Sequence, residues 1–187
     1  LEIEESILYL RNERRDARLD DVTLSLCAEM LIVGGIESDR AKAREMCDDA
    51  VVSGRAAEIF SNMVNALSGP SDFVERYDKH LVRAPVVRPV HGTGILTAVN
   101  TRAVGNAIIE LGGGRRQVGE TLDLSVGFSD FASVGTMLDA DAPLAVVHAA
   151  SEGDATRAEA LLRDACQFGP EPPAESRVIK DILDRNA

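Results

Sequence analysis

The sequence predicts an α+β fold: helices over residues 1–80, a compact mixed α+β region over 81–168, and a linker and tail over 169–187 that pack back on the body. Three observations carry that reading. Ala56, Ile59, Phe60, Met63, Val64 and Leu67 recur at helical spacing without a miss. Composition changes near His80, where Pro85, Pro89 and frequent β-branched residues appear. From Arg102 to Ala149 a helical pattern, a triple glycine, two further glycine turns and a short apolar strand ending at His148 follow one another.

Composition bounds the answer further. The chain has 187 residues, enough for one good core or two small ones. Aromatics make up 4% and Trp is absent, so the core is built from Ala, Val, Leu and Ile. A net charge of −11 argues against a general nucleic-acid binder, which needs a basic face to displace counterions. Residues 81–120 hold five basic and two acidic side chains, a local excess that reads as solvated surface. No apolar run approaches the ~18–20 residues of a membrane span, and no signal segment opens the chain. Cys27, Cys47 and Cys166 are far apart and lack zinc spacing, which fits a reducing, cytoplasmic compartment.

Taken in order, LEIEESILYL reads as helix with no N-cap before Leu1, as if the chain begins inside an element. Residues 11–20 read as a mixed charged loop. A helix follows from about Asp21 to Val33, capped by Asp20 or Asp21 and stopped by Gly34-Gly35. Ser38 caps the next helix, which runs to Val52 with Ala43, Met46, Cys47, Ala50 and Val51 inward. The periodic helix from Ala56 stops at Gly69-Pro70, and Ser71-Asp72 opens a short helix carrying Phe73, Val74 and Tyr77. Helices this short are marginal alone and require a partner surface.

Beyond His80, VVRPVHGTGILTAV reads as two strands around a Gly92–Gly94 turn. Thr101 caps a helix that ends with Gly112 at C′. Short strands are expected near 126–131 and 143–148. Ser151 caps a last helix with Ala155, Ala158, Leu161, Leu162 and Ala165 inward. Residues 169–176 form a proline-rich, extended linker; the tail SRVIKDILDRNA is a short helix or a strand.

Few residues carry chemistry. Gly112-Gly113-Gly114-Arg115-Arg116 looks like a phosphate cradle, but its glycines follow a helix and so face the negative end of the dipole. A helix C-cap and turn is the better reading, with Arg115 and Arg116 pairing with carboxylates or packing across the domain. His148 ends an apolar strand and reads as structural; His80 and His91 lack partners at ligand spacing. Asp139 and Asp141 alternate in a solvated turn. The segment from Gly135 to His148 resembles the half-barrel of biotinyl and lipoyl carrier domains. No Lys lies between Lys79 and Lys180, which excludes a carrier function.

The segments AVGNAIIELGGGRR, SVGFSDF and PLAVVHA, in that order, resemble the C-terminal domain of the thymidine phosphorylases, the pyrimidine-nucleoside phosphorylase family. LEIEESILYL, DVTLSLCAEMLI and AAEIFSNMVNALSGPSDFVERY resemble that family's helices behind its large α/β domain, so the likeness runs from Leu1 to about Ala165. It implies that residues 1–80 are a helical layer of a larger α/β domain and that 81–168 are a compact α/β-hammerhead, half-barrel-like domain. It also implies a homodimeric parent enzyme of nucleoside salvage, converting thymidine and phosphate to thymine and 2-deoxyribose 1-phosphate.

The family's phosphate site uses a Lys-His-Ser-Thr-Gly-Gly type loop, which this chain lacks. The resemblance therefore carries over no catalytic and no substrate-binding residue, and implies an inactive structural wall. Among relatives, the second Glu of the LExxE-type segment, here Glu5, contributes to a monovalent or calcium ion site; as a bare residue it reads as a solvated helix carboxylate. No other cofactor, no nucleic acid and no membrane is implied. The alternative is a free-standing scaffold or interaction module without catalytic activity.

Overall fold

A computed structural model describes residues 1–174 and 177–183. The fold is α+β and divides into two compact units: Glu2–His80 with the tail from residue 175, and Leu81–Ala174 with Leu1.

Among the described residues the first unit holds five helices, α1 (Glu2–Leu10), α2 (Ala17–Val33), α3 (Arg40–Val52), α4 (Arg55–Ala66) and the single turn α5 (Tyr77–His80). Glu2, Glu4 and Glu5 in the first turn of α1 complement the positive end of its dipole. Helix α2 begins earlier than the charge pattern suggests. Asp16, in extended conformation, accepts hydrogen bonds from the Arg18 and Leu19 amides, so Asp16 is the cap and not Asp20 or Asp21. Asp20 is occupied elsewhere: it accepts from the Tyr9 hydroxyl at 2.8 Å and from Arg15 Nε at 2.8 Å. Asp39, not Ser38, caps α3 by accepting from the Ala41 and Lys42 amides, while Glu37 takes the Ser38 and Asp39 amides.

Helix α4 ends before Gly69-Pro70. Ser68 turns left-handed at φ 69°, and the Gly69 amide donates to Val64 O. A Cβ on Gly69 would lie 2.5 Å from Val64 Cγ1 and 2.9 Å from the Val64 carbonyl, so only glycine closes this turn. Residues 71–75 are turns and not a helix. Asp72 instead receives His80 Nε2 at 2.8 Å, and the His80 ring packs 5.8 Å from that of Phe73.

The interior of this unit is made by Ile7, Tyr9, Leu24, Ala28, Ala43, Val51 and Val74. Arg15 ties three helices together: it binds Asp20 and, at 2.7 Å, Asp48, and its guanidinium stacks 5.5 Å from the Tyr9 ring centre. The periodic segment from Ala56 is helical as expected, but only half-covered within the unit: Ala56, Phe60 and Val64 are half-buried, while Ile59 is 68% and Leu67 77% exposed. Met46, expected inward on α3, is exposed as well.

The second unit contains β1 (Val86–Val90), β2 (Gly94–Val99), α6 (Thr101–Glu110), β3 (Gly127–Ser129), β4 (Met137–Leu138), β5 (Ala145–Ala149), α7 (Glu152–Asp164) and β6 (Cys166–Gly169). Two antiparallel sheets form, β1-β5-β3 and β4-β2-β6. The strands around Gly92–Gly94 exist but do not pair with each other. β1 aligns Val86 with Ala149 and Val90 with Ala145, while β2 aligns Ile95 with Met137 and Val99 with Cys166. Pro89 is tolerated because β1 is an edge strand.

Strands β4 and β6 escape the sequence pattern: two and four residues are too few to display a period. The expected strand spans shorten to β3 and β5. Asn100 caps α6 by accepting from the Ala103 amide, displacing Thr101 by one position. Ser151 caps α7 as expected, accepting from the Asp154 amide.

Leu96, Leu138, Leu144, Val147, Ala155, Ala158 and Leu162 pack in one core, all but excluded from solvent. Leu161 lies on the exposed side of α7, because the buried stripe follows Ala155, Ala158, Leu162 and Ala165. In the tail, residues 177–183 are neither helix nor strand; the rest of SRVIKDILDRNA lies outside the described residues.

Candidate functional site

The glycine-arginine segment is a helix terminus. Leu111 is the C-cap of α6, Gly112 turns left-handed at φ 94°, its amide donates to Ile109 O, and the Gly113 amide donates to Ile108 O. These two bonds make a Schellman cap, which consumes the amides that a phosphate would need. The following glycines allow close approach: a Cβ on Gly114 would meet Ile109 Cγ1 at 2.5 Å, and one on Gly113 would meet Ile108 Cγ2 at 3.0 Å. Arg116 pairs with Glu110 at 2.6 Å, and its amide donates to Glu120 at 2.7 Å. Substituting Gly112→Ala forces a side chain into the left-handed region and is expected to cost about 1–2 kcal/mol. A lowered urea midpoint at unchanged slope is the expected reading; an unchanged midpoint contradicts the capping role.

His148 is the most chemically suggestive side chain of this unit. It is 9% exposed on the central strand β5, paired with Gly127 of β3. Its Nε2 lies 2.9 Å from Ser129 Oγ, and Ser129 Oγ donates to Asp130 Oδ2 at 2.8 Å. Asp130 sits in the left-handed region at φ 50°, which a short polar side chain tolerates and which brings its carboxylate back over Ser129. The order of contacts decides what the cluster does. A carboxylate only accepts, so the Ser129 hydroxyl donates to Asp130, and His148 Nε2 lies on the other side of the same oxygen. Ser129 thus bridges Asp130 and His148, tying β3 to β5.

A second polar network was not singled out by sequence spacing. Arg88 on β1 donates to Glu152 at 2.9 Å, to Thr156 Oγ1 at 2.9 Å and to Glu159 at 3.1 Å. Arg163 binds Glu159 at 2.7 Å and donates through Nε to the His91 carbonyl at 2.8 Å. Residues 152, 156, 159 and 163 share one face of α7, a spacing legible in sequence, but the partners of that face, Arg88 on β1 and the His91 carbonyl, are 64 or more positions away. The network fastens α7 across β1. The His91 ring Nδ1 beside it is buried without a hydrogen-bond partner among the described residues.

Glu5 lies exposed in the first turn of α1. Among the described residues no group of three or more His, Cys, Asp or Glu side chains stands together as a metal site. One exposed carboxylate does not meet the six or more oxygen donors that a calcium ion takes, so the residues present do not fit that ion by themselves. Asp139 closes a turn on itself by accepting from the Asp141 and Ala142 amides. His80 is held by Asp72, whose carboxyl is drawn below its ordinary range by that hydrogen bond.

The three cysteines are free. Burial pushes the Cys47 and Cys166 thiols up, away from the reactive thiolate form. No helix among the described residues is long and apolar enough to cross a membrane.

Polar groups across this unit thus cap, bridge and fasten. Residues 95–169, from the second position of β2 to the last of β6, match the family model described as the pyrimidine nucleoside phosphorylase C-terminal domain.

Proposed function

We propose, from the premise that residues 95–169 are a pyrimidine nucleoside phosphorylase C-terminal domain, that the chain is the rear part of a thymidine phosphorylase. The parent is a pentosyltransferase that cleaves thymidine with phosphate to thymine and 2-deoxyribose 1-phosphate. Phosphorolysis passes through a cationic sugar, so catalysis rests on positioning and charge stabilisation in a closed, dry cleft. Such closure needs rigid walls against which other elements move. The second unit supplies one: two small sheets and two helices over a single apolar core, which we describe as a hammerhead of the half-barrel kind.

In this reading residues 1–80 are a helical layer of a larger α/β domain, residues 81–168 are the C-terminal domain, and 169–187 are a linker and tail. The uncovered apolar positions Met30 and Val33 on α2, Ile59 and Met63 on α4 and Leu67 at its C-cap support the layer assignment. The free thiols support a reducing, cytoplasmic compartment. The parent works as a homodimer on a pyrimidine nucleoside and phosphate, with neither nucleic acid nor membrane as partner. Glu5 gives one carboxylate to a monovalent or calcium ion site in that parent, whose other ligands are not among the residues of this chain.

The family match carries this reading. The chain itself is expected to be inactive, because it lacks the Lys-His-Ser-Thr-Gly-Gly type loop of the family's phosphate site. Incubation with thymidine and phosphate should release no thymine above a protein-free blank. Release that scales with protein concentration would overturn the assignment of this chain as a non-catalytic wall.

A further inference from the structure

The strongest unexplained feature is a cavity of about 490 Å³ in the helical unit, between the α2–α3 pair and the tail. Leu26, Ala28 and Ala41 line one side, and Ile179, Ile182 and Leu183 line the other. The apolar surfaces face each other without closing: Ile182 remains 48% exposed and Leu183 86%.

The charged residues of the groove are already engaged. Arg40 binds Glu29 at 2.5 Å, and Arg44 binds Asp21 at 3.1 Å and Ser25 at 2.9 Å. The groove is thus built for apolar burial more than for capturing an anion. In the tail, Val178, Ile179, Ile182 and Leu183 fall at i, i+1, i+4 and i+5, the pattern of one helical face. Pro170, Pro172 and Pro173 in the preceding segment stiffen the tether.

We propose that residues 177–183 are a tethered strap that closes over the α2–α3 groove, burying Ile179, Ile182 and Leu183 against Leu26, Ala28 and Ala41. Residues 178–183 close as an amphipathic turn when they dock, and the groove opens when they release. Tethering sets a local concentration on the order of millimolar, so a strap of weak intrinsic affinity still covers the groove most of the time.

The test uses a fluorescein-labelled peptide of residues 177–187 read by anisotropy. Three proteins are compared: the full chain, the full chain carrying Ile182→Asp with Leu183→Asp, and a chain ending after Ala174. The peptide is expected to bind the doubly substituted and the shortened chains about tenfold more tightly than the full chain, whose own strap competes. Adding Leu26→Asp to either should abolish binding while far-ultraviolet circular dichroism stays unchanged. Equal affinity for all three proteins, no binding to the doubly substituted chain, or binding that survives Leu26→Asp would overturn the proposal. The doubly substituted full chain gives the same comparison if the shortened chain does not fold.

Discussion

Leu162→Ala is expected to destabilise the chain by about 3–5 kcal/mol, the range for a fully buried leucine whose surroundings relax only in part. Leu162 is completely buried on α7 and belongs to the core with Leu96, Leu138, Leu144 and Val147. Its loss removes both transfer free energy and the contacts that hold α7 to β1, β5 and β6. Few alternatives exist to fill the gap, because this core contains no tryptophan and its phenylalanines only border it. Leu161, one position earlier and exposed, is the matched control: Leu161→Ala should change stability by less than about 1 kcal/mol. Urea denaturation followed by circular dichroism reads both. Equal effects of the two substitutions would contradict the core described above.

Alkaline pH is expected to weaken the helical unit through Tyr9. Burial first, and then the hydrogen bond to Asp20, pushes the Tyr9 hydroxyl up from 10.0 to about 12. The folded state therefore holds this proton more tightly than the unfolded chain does. The associated stability is fully present below pH 10 and is lost as pH rises through 12. With Tyr9 only 6% exposed, two pKa steps correspond to about 2–3 kcal/mol.

Tyr9→Phe removes the titration together with one hydrogen bond. At pH 7 the variant should be less stable by about 1 kcal/mol. Between pH 10 and 12 the parent chain should lose the further 2–3 kcal/mol, so the order of the two proteins reverses. Parallel stability curves across that interval would show that Tyr9 is not the group responsible. Arg15 keeps its charge throughout, because Asp20 and Asp48 hold its guanidinium above its already high ordinary pKa.

Much of this architecture is legible from residue order. The helical period from Ala56, the composition change at His80, the Gly112 stop and the Ser151 cap all depend on neighbours within a turn or two. The caps that move by one position share a cause. Asp39 beside Ser38 and Asn100 beside Thr101 each have a capable neighbour, and backbone conformation chooses between them, while Asp16 starts α2 four residues before Asp20. Asp20 was drawn away from capping by Tyr9 and Arg15, partners a local pattern does not see.

Residue types and local periods by themselves determined that this chain makes helices and then a glycine-punctuated α+β region. They also determined that the triple glycine ends a helix, because backbone strain and dipole direction are properties of short segments. Only the tertiary structure decided that β1 and β2 part into different sheets, that β4 and β6 exist, and that Ser129 bridges His148 and Asp130. It alone joined Arg88 to α7 and left a gap under the tail. Each of those depends on contacts between residues far apart in the chain, where packing and desolvation outweigh any preference a short window can express.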